Sequence, residues 1–292
     1  MWLYAQRATG ASRFAEEVKL LEHYTETMID TTSYKRIAVK VGSNVLTRHD
    51  GTLDITRMSA LVDQIAQLRA KGIEVILISS GAVACGRSEL RHMSLGELDT
   101  VDQRQLFSAV GQAKLMNRYY ELFREYGIHV GQVLTLKESF STERHYQNQR
   151  NCMNVMLQNG VLPIVNENDT VSITELMFTD NDELSGLIAT MMNVQALFLL
   201  SNVDGIYNGA PDAEGVEIIR RVEAGRSLDE YIQTSKSAFG RGGMQTKCAI
   251  ARKVADAGIA VWIANGNREG ILTALVSNSD GACYTYFEPV RK

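Results

Sequence analysis

From Tyr34 onward, short apolar runs alternate with longer amphipathic ones, and this alternation narrows the possible folds more than any other feature of the chain. Arg36–Val41 (R-I-A-V-K-V) predicts a strand. Ile55–Lys71 sets Ile55, Met58, Leu61, Val62, Ile65 and Leu68 on one helical face, and Gly72 ends that helix. Glu74–Ser79 (E-V-I-L-I-S) predicts the next strand, after which Gly81 opens a turn and another helix. Further helices are expected at Gln103–Tyr126, Arg144–Asn159, Asn181–Asn193 and Met244–Ala257. Further strands are expected at Ile128–Leu134, Val161–Val165 and Ala196–Leu200, a short one at Ile218–Val222, and one at Ile259–Ala264 that closes the series. Strands and helices in alternation imply an α/β protein: a mainly parallel central sheet covered on both faces, a three-layer αβα sandwich.

No composition shift or low-complexity stretch divides the chain after residue 34, so one domain is expected over 34–292. Residues 1–33 are expected to form a helical extension, since Phe14, Val18, Leu21 and Met28 fall near helical spacing. Glu16, Glu17, Glu22, Glu26 and Asp30 interrupt any apolar core there, which excludes a secretory signal. The formal net charge of -4 and the absence of a basic run argue against a nucleic-acid partner. No apolar run approaches the roughly 20 residues that span a membrane. Cys85, Cys152, Cys248 and Cys283 are widely separated, which predicts reduced thiols and a cytoplasmic location. The five scattered histidines offer no zinc spacing.

Four polar or glycine-rich elements follow predicted strands. In Val161–Asp169 (V-L-P-I-V-N-E-N-D) a buried-type strand ends in Asn166, Glu167, Asn168 and Asp169. Such residues are costly to bury and useless for packing, but they suit a polar ligand at the carboxyl edge of a parallel sheet. Asp180-Asn181-Asp182 follows closely enough to share that site, although Asp180 or Asn181 could equally be a helix cap. Lys40-Val41-Gly42-Ser43 places a lysine at a strand end and backbone amides where the chain turns, as a phosphate cradle would. Ser79-Ser80-Gly81-Ala82 permits close approach of a ligand, yet taken alone Ser80 reads as an ordinary N-cap. Gly240–Lys247 (G-R-G-G-M-Q-T-K) runs a flexible loop into a helix with Thr246 and Lys247 in its first turn. It is neither a Walker A loop nor a dinucleotide fingerprint, but the physics of phosphate at a helix N-terminus is related.

K-V-G-S-N-V-L (Lys40–Leu46), I-S-S-G-A-V (Ile78–Val83), P-I-V-N-E-N-D (Pro163–Asp169), T-D-N-D (Thr179–Asp182) and G-G-M-Q-T-K (Gly242–Lys247) occur in that order. Together they resemble the motifs of the glutamate 5-kinases, within the amino acid kinase family, across roughly Tyr34–Pro289. The resemblance implies the amino acid kinase fold, ATP with Mg2+, and L-glutamate as phosphoryl acceptor. It implies that Lys40 and Lys247 contact the phosphoryl group and that Asp182 orients them. It implies glutamate binding by Ser80, Asp169 and Asn181. The nucleotide would be held by Lys40, Ser201, Asn202, Arg241, Gly242, Gly243, Met244, Gln245, Thr246 and Lys247, and no metal ligand is assigned. The family pattern often has Thr-Asp where Ser201-Asn202 stands and a small residue where Arg241 stands. The resemblance further implies a homo-oligomer, inhibition by proline, and a chain without the C-terminal PUA domain of many bacterial relatives.

The chemistry agrees with the residue types. A glutamate side chain titrates near pH ~4.3 and is already ionised at neutral pH, so its phosphorylation needs no general base. The barrier is repulsion between a carboxylate and a triphosphate, which lysines, loop amides and a magnesium ion relieve. Other readings are a kinase of the same fold acting on aspartate, acetylglutamate, carbamate or a nucleoside monophosphate, or a non-catalytic sensor that retains the pocket.

Overall fold

A computed structural model of the protein describes residues 34–172, 178, 180–209, 214–228, 243–279 and 281–291. The expected extension at 1–33 lies outside them. So do Thr179, Arg241 and Gly242. Eight strands form one sheet among the described residues: β1 (Arg36–Val41), β2 (Glu74–Ser79), β3 (Val130–Thr135), β4 (Leu162–Glu167), β5 (Ala196–Ser201), β6 (Arg221–Val222), β7 (Ala260–Asn265) and β8 (Tyr284–Phe287). Their order across the sheet is β3-β4-β2-β1-β5-β7-β8-β6. Every neighbouring pair is parallel except β7 with β8. The helices are α1 (Ser43–Leu46), α2 (Ile55–Ala70), α3 (Ala82–Glu89), α4 (Thr100–Arg124), α5 (Glu143–Gln158), α6 (Asn181–Met191), α7 (Gly243–Asp256) and α8 (Ile271–Val276).

Strand alternation divides the core into two apolar layers. Ile37, Val39 and Val41 of β1 face one layer, which they share with α2, α4 and α8. Ala38 faces the other, built with α5, α6 and α7. This is the expected three-layer αβα sandwich. The chain leaves central β1 for β2, β3 and β4 on one side, then crosses to β5 on the other. The carboxyl ends of β1, β2, β4 and β5 therefore border one crevice, where ligands of open α/β sheets bind.

Several boundaries differ from expectation for visible reasons. Helix α4 starts at Thr100 rather than Gln103, because the Asp99 carboxylate accepts from the Val101 and Asp102 amides, both at 2.8 Å. Strand β4 continues into Asn166 and Glu167 because these pair in register with Leu134 and Thr135 of β3. The strand at Ile259–Ala264 does not close the series. Helix α8 and antiparallel β8 follow it, and β6 adds to β8. At four residues, Tyr284–Phe287 is too short to stand out as a strand on apolar pattern alone, but it covers Trp262, whose ring meets Tyr284 at 4.9 Å and Tyr286 at 4.6 Å.

Candidate active site

Two adjoining clefts open at the carboxyl edge. The larger, about 410 Å³, is walled by Lys40, Gly42–Val45, Asp182, Ser201–Val203, Met244 and Lys247. The smaller, about 290 Å³, is walled by Gly81–Ala84, Arg87, Arg104, Asn166, Glu167 and Asp169. Ser43, Ser80, Asp180 and Asn181 belong to both and form the partition.

The partition owes its shape to the start of α6. Asp180 is the N-cap, accepting from the amides of Asp182 at 2.9 Å and Glu183 at 3.1 Å. Capping thus falls to Asp180, and the next two side chains are released for other work. Asn181 donates to Ser80 Oγ at 2.8 Å and to Asn166 Oδ1 at 3.0 Å. Asn166 in turn donates to Gln112 at 2.9 Å. Asn181 Oδ1 is buried without a hydrogen-bond partner among the described residues. Ser80 is not a helix cap. Gly81 holds that position, at φ 102°, with no side-chain cap, so the Ser80 hydroxyl serves Asn181 instead.

Asp182, 3% exposed, lies between two lysines. Its Oδ1 is 2.7 Å from Lys40 Nζ and its Oδ2 2.6 Å from Lys247 Nζ. Burial works to raise its carboxyl, but the two ammonium groups outweigh burial and hold it below the usual carboxylate range. Burial, helped by neighbouring Lys247, brings Lys40 below the usual lysine range against the pull of Asp182. Two cations on one anion leave this buried trio net positive. Asp180 is raised, chiefly by burial and then by Asp182.

In the smaller cleft, Arg104 Nε and Nη2 converge on Asp169 Oδ1 at 2.7 and 2.5 Å, and Nη2 also reaches Glu167 Oε2 at 3.1 Å. Ser108 donates to Asp169 Oδ2 at 3.4 Å. Glu167 Oε1 accepts from Ser172 Oγ at 2.9 Å and from the Phe178 amide at 3.1 Å. Burial raises Glu167, with these bonds and Arg104 opposing.

Of the sequence-predicted residues, Lys40, Lys247, Asp182, Ser201, Asn202 and Met244 wall the larger cleft, Asp169 the smaller one, and Ser80 and Asn181 both. Gly243 begins α7, while Gln245 and Thr246 do not wall either cleft. The Gly42 amide is not free for a phosphate, because it donates to Leu200 O at 3.0 Å. Sequence reasoning missed Arg87, Arg104, Ser108 and Gln112. Arg104, Ser108 and Gln112 recur every four residues on α4, a polar stripe on one helix face that includes the buried Ser108 and Gln112. That stripe was the available signal.

No group of three or more His, Cys, Asp or Glu side chains suited to a metal occurs among the described residues. Asp182 is committed to two lysines, so the carboxylates here fit a magnesium ion only as one carried in on nucleotide phosphates, its usual manner.

The chain matches the model of the amino acid kinase family over residues 35–265. It is 69% identical over 256 residues to a glutamate 5-kinase of Bacteroides thetaiotaomicron, covering 88% of this chain and 71% of that one. It is 49% identical to a glutamate 5-kinase of Chlorobaculum tepidum, covering 83% and 66%, so the chain spans just under two thirds of that relative. It is 38% identical to glutamate 5-kinase 2 of Bacillus subtilis, covering 89% and 70%. Among solved structures, UMP kinase from Ureaplasma parvum superposes with a TM-score of 0.59 at 12% identity, covering 88% and 100%. An isopentenyl phosphate kinase superposes with a TM-score of 0.61 at 16% identity, covering 86% and 99%; these two likenesses concern the fold alone.

Proposed function

The chain belongs to the amino acid kinase family, and on that footing we propose that it transfers the γ-phosphoryl group of ATP to the side-chain carboxylate of L-glutamate. The product is L-glutamyl 5-phosphate, in the first step of proline biosynthesis. The observation that carries this reading is Asp182 held between Lys40 and Lys247 beside the wall shared by two clefts. ATP occupies the larger cleft, with its terminal phosphate toward the lysines. Glutamate occupies the smaller cleft, with its side-chain carboxylate toward Ser80 and Asn181 and its amine toward Asp169.

In this arrangement no side chain needs to remove a proton, because the acceptor arrives as an anion. The chain's task is to bring two anions together and to stabilise the charge that spreads over the phosphoryl oxygens in transfer. Lys40 and Lys247 do this, and Asp182 fixes both ammonium groups before substrate arrives, so little reorganisation is needed during reaction. Ser80, whose hydroxyl accepts from Asn181 and so keeps its own proton to donate, orients the attacking carboxylate, and Asn181 fixes Ser80 in place. Magnesium, when bound with ATP, neutralises part of the triphosphate charge. Proline resembles a cyclised glutamate and would compete for the smaller cleft. A cytoplasmic homo-oligomer is part of the same proposal.

Release of ADP from ATP and magnesium tests the reading against a panel of glutamate, aspartate, acetylglutamate, carbamate and UMP, with hydroxylamine to trap the acyl phosphate. Glutamate alone should raise ADP release and yield a hydroxamate. ADP release indifferent to the acceptor would indicate an idle ATPase, and no ADP release with any acceptor a non-catalytic sensor.

A further inference from the structure

The geometry points to Arg87 as the residue that selects the acceptor by its α-carboxylate, a refinement that rests on L-glutamate being the acceptor. The argument starts from charge in the smaller cleft. A bound glutamate has three ionic groups to satisfy. Its side-chain carboxylate lies at the partition near the lysines, and its amine is drawn to Asp169. The α-carboxylate then needs a cation on the remaining wall.

Two guanidinium groups line that cleft. Arg104 is committed, with its nitrogens on Asp169 and Glu167. Arg87 has no hydrogen bond or ion pair to a side chain among the described residues, only the face of Phe107, with its Cζ 5.6 Å from the ring centroid. An aromatic face holds a guanidinium in place while leaving its edge donors free. Arg87 sits on α3, the helix that begins at the partition with Gly81 and Ala82, and it is exposed at the cleft mouth. A carboxylate entering between Arg87 and the Asp169–Arg104 pair would meet a planar fork suited to two hydrogen bonds. Selection follows, because an amide at that point offers the fork one neutral acceptor in place of two anionic oxygens.

The test compares L-glutamate with isoglutamine, which keeps the side-chain carboxylate but carries an amide in place of the α-carboxylate. In Arg87→Gln the KM for glutamate should rise roughly tenfold to hundredfold. The KM for ATP and the kcat at saturating glutamate should stay within about twofold of the parent, and kcat/KM for isoglutamine should change far less than that for glutamate, so that discrimination collapses. Arg87→Lys should recover part of the discrimination. Equal losses with both acceptors, or an unchanged glutamate KM, would overturn the assignment and place the α-carboxylate elsewhere. Because Arg87 is exposed, the variants should melt with the parent; an Arg87→Gln that melts lower while Arg87→Lys retains full discrimination loss would also count against a direct contact. Failure of the parent protein to turn over glutamate would overturn the acceptor identity itself, an outcome distinct from these.

Discussion

Asp182 presents one oxygen to each of two lysines that are themselves 7% exposed, so three charges are buried with an excess of one positive. Removing Asp182 would leave two buried ammonium groups without a counter-charge, a loss of about 3–5 kcal/mol. Lys247→Ala should lower kcat roughly 100- to 1,000-fold with little change in the KM for glutamate, because stabilisation specific to the transition state is lost. Steady-state kinetics decide this, and an undiminished kcat would remove Lys247 from the chemistry. Asp169→Ala should instead raise the KM for glutamate tenfold or more, at about the scale of a charge-assisted bond, while the KM for ATP holds. The same cluster predicts a pH profile. Lys40 is lowered by burial, so on raising pH it loses its proton before an exposed lysine would, and kcat/KM, which reports the free protein, should fall on the alkaline side earlier than the usual lysine range. The sign for Asp182 is opposite. Its carboxyl is depressed in the fold, so its contribution to stability is present above the ordinary carboxylate range and is lost only as pH falls through its lowered value.

At the scale of elements, helices α3 and α4 set the width of the smaller cleft. A Cβ on Gly111 would lie 1.8 Å from Ala82 O, and one on Gly86 would lie 1.8 Å from Phe107 O, so each glycine faces the backbone of the other helix. Gly111→Ala should force the two apart. That would carry Arg104 and Ser108 away from Asp169 and raise the KM for glutamate while leaving the KM for ATP nearly unchanged. Overpacking of this kind costs about 1–3 kcal/mol, which urea unfolding would register. Much of this level was legible in the sequence. The strands at Arg36–Val41 and Glu74–Ser79 were placed to the residue because apolar runs between turn signals leave few choices. Lys40 stood out as a lysine at a strand end and Lys247 as one following a glycine-rich loop, whereas the pairing of both with Asp182 came only through the family resemblance. Arg87, Arg104, Ser108 and Gln112 were not legible, since a polar stripe on a long helix reads as a solvated face until the packing is known. The Gly42 amide failed as a phosphate donor because β5 claims it through Leu200, a contact no local pattern announces.

Across the whole molecule, stability and chemistry occupy different parts of the sheet. The clefts adjoin β1, β2, β4 and β5, whereas Trp262 on β7 packs against Phe198, Tyr284 and Tyr286 toward the far rim. Tyr286→Ala should cost about 3 kcal/mol, the lower end for losing a buried aromatic. It should leave kcat/KM near the parent value at temperatures where the variant stays folded, and chemical unfolding beside kinetics at low temperature would show both. A matching loss of kcat/KM would mean that the rim and the crevice are coupled. Lys40 lies on β1 and Lys247 on α7, far apart in sequence, yet one carboxylate holds both. During synthesis on a ribosome, a nascent chain could bring Lys40 and Asp182 together long before α7 emerges. Such an intermediate would have half its lysine pair and no means of transferring phosphate, so activity would switch on late and at once, when α7 docks.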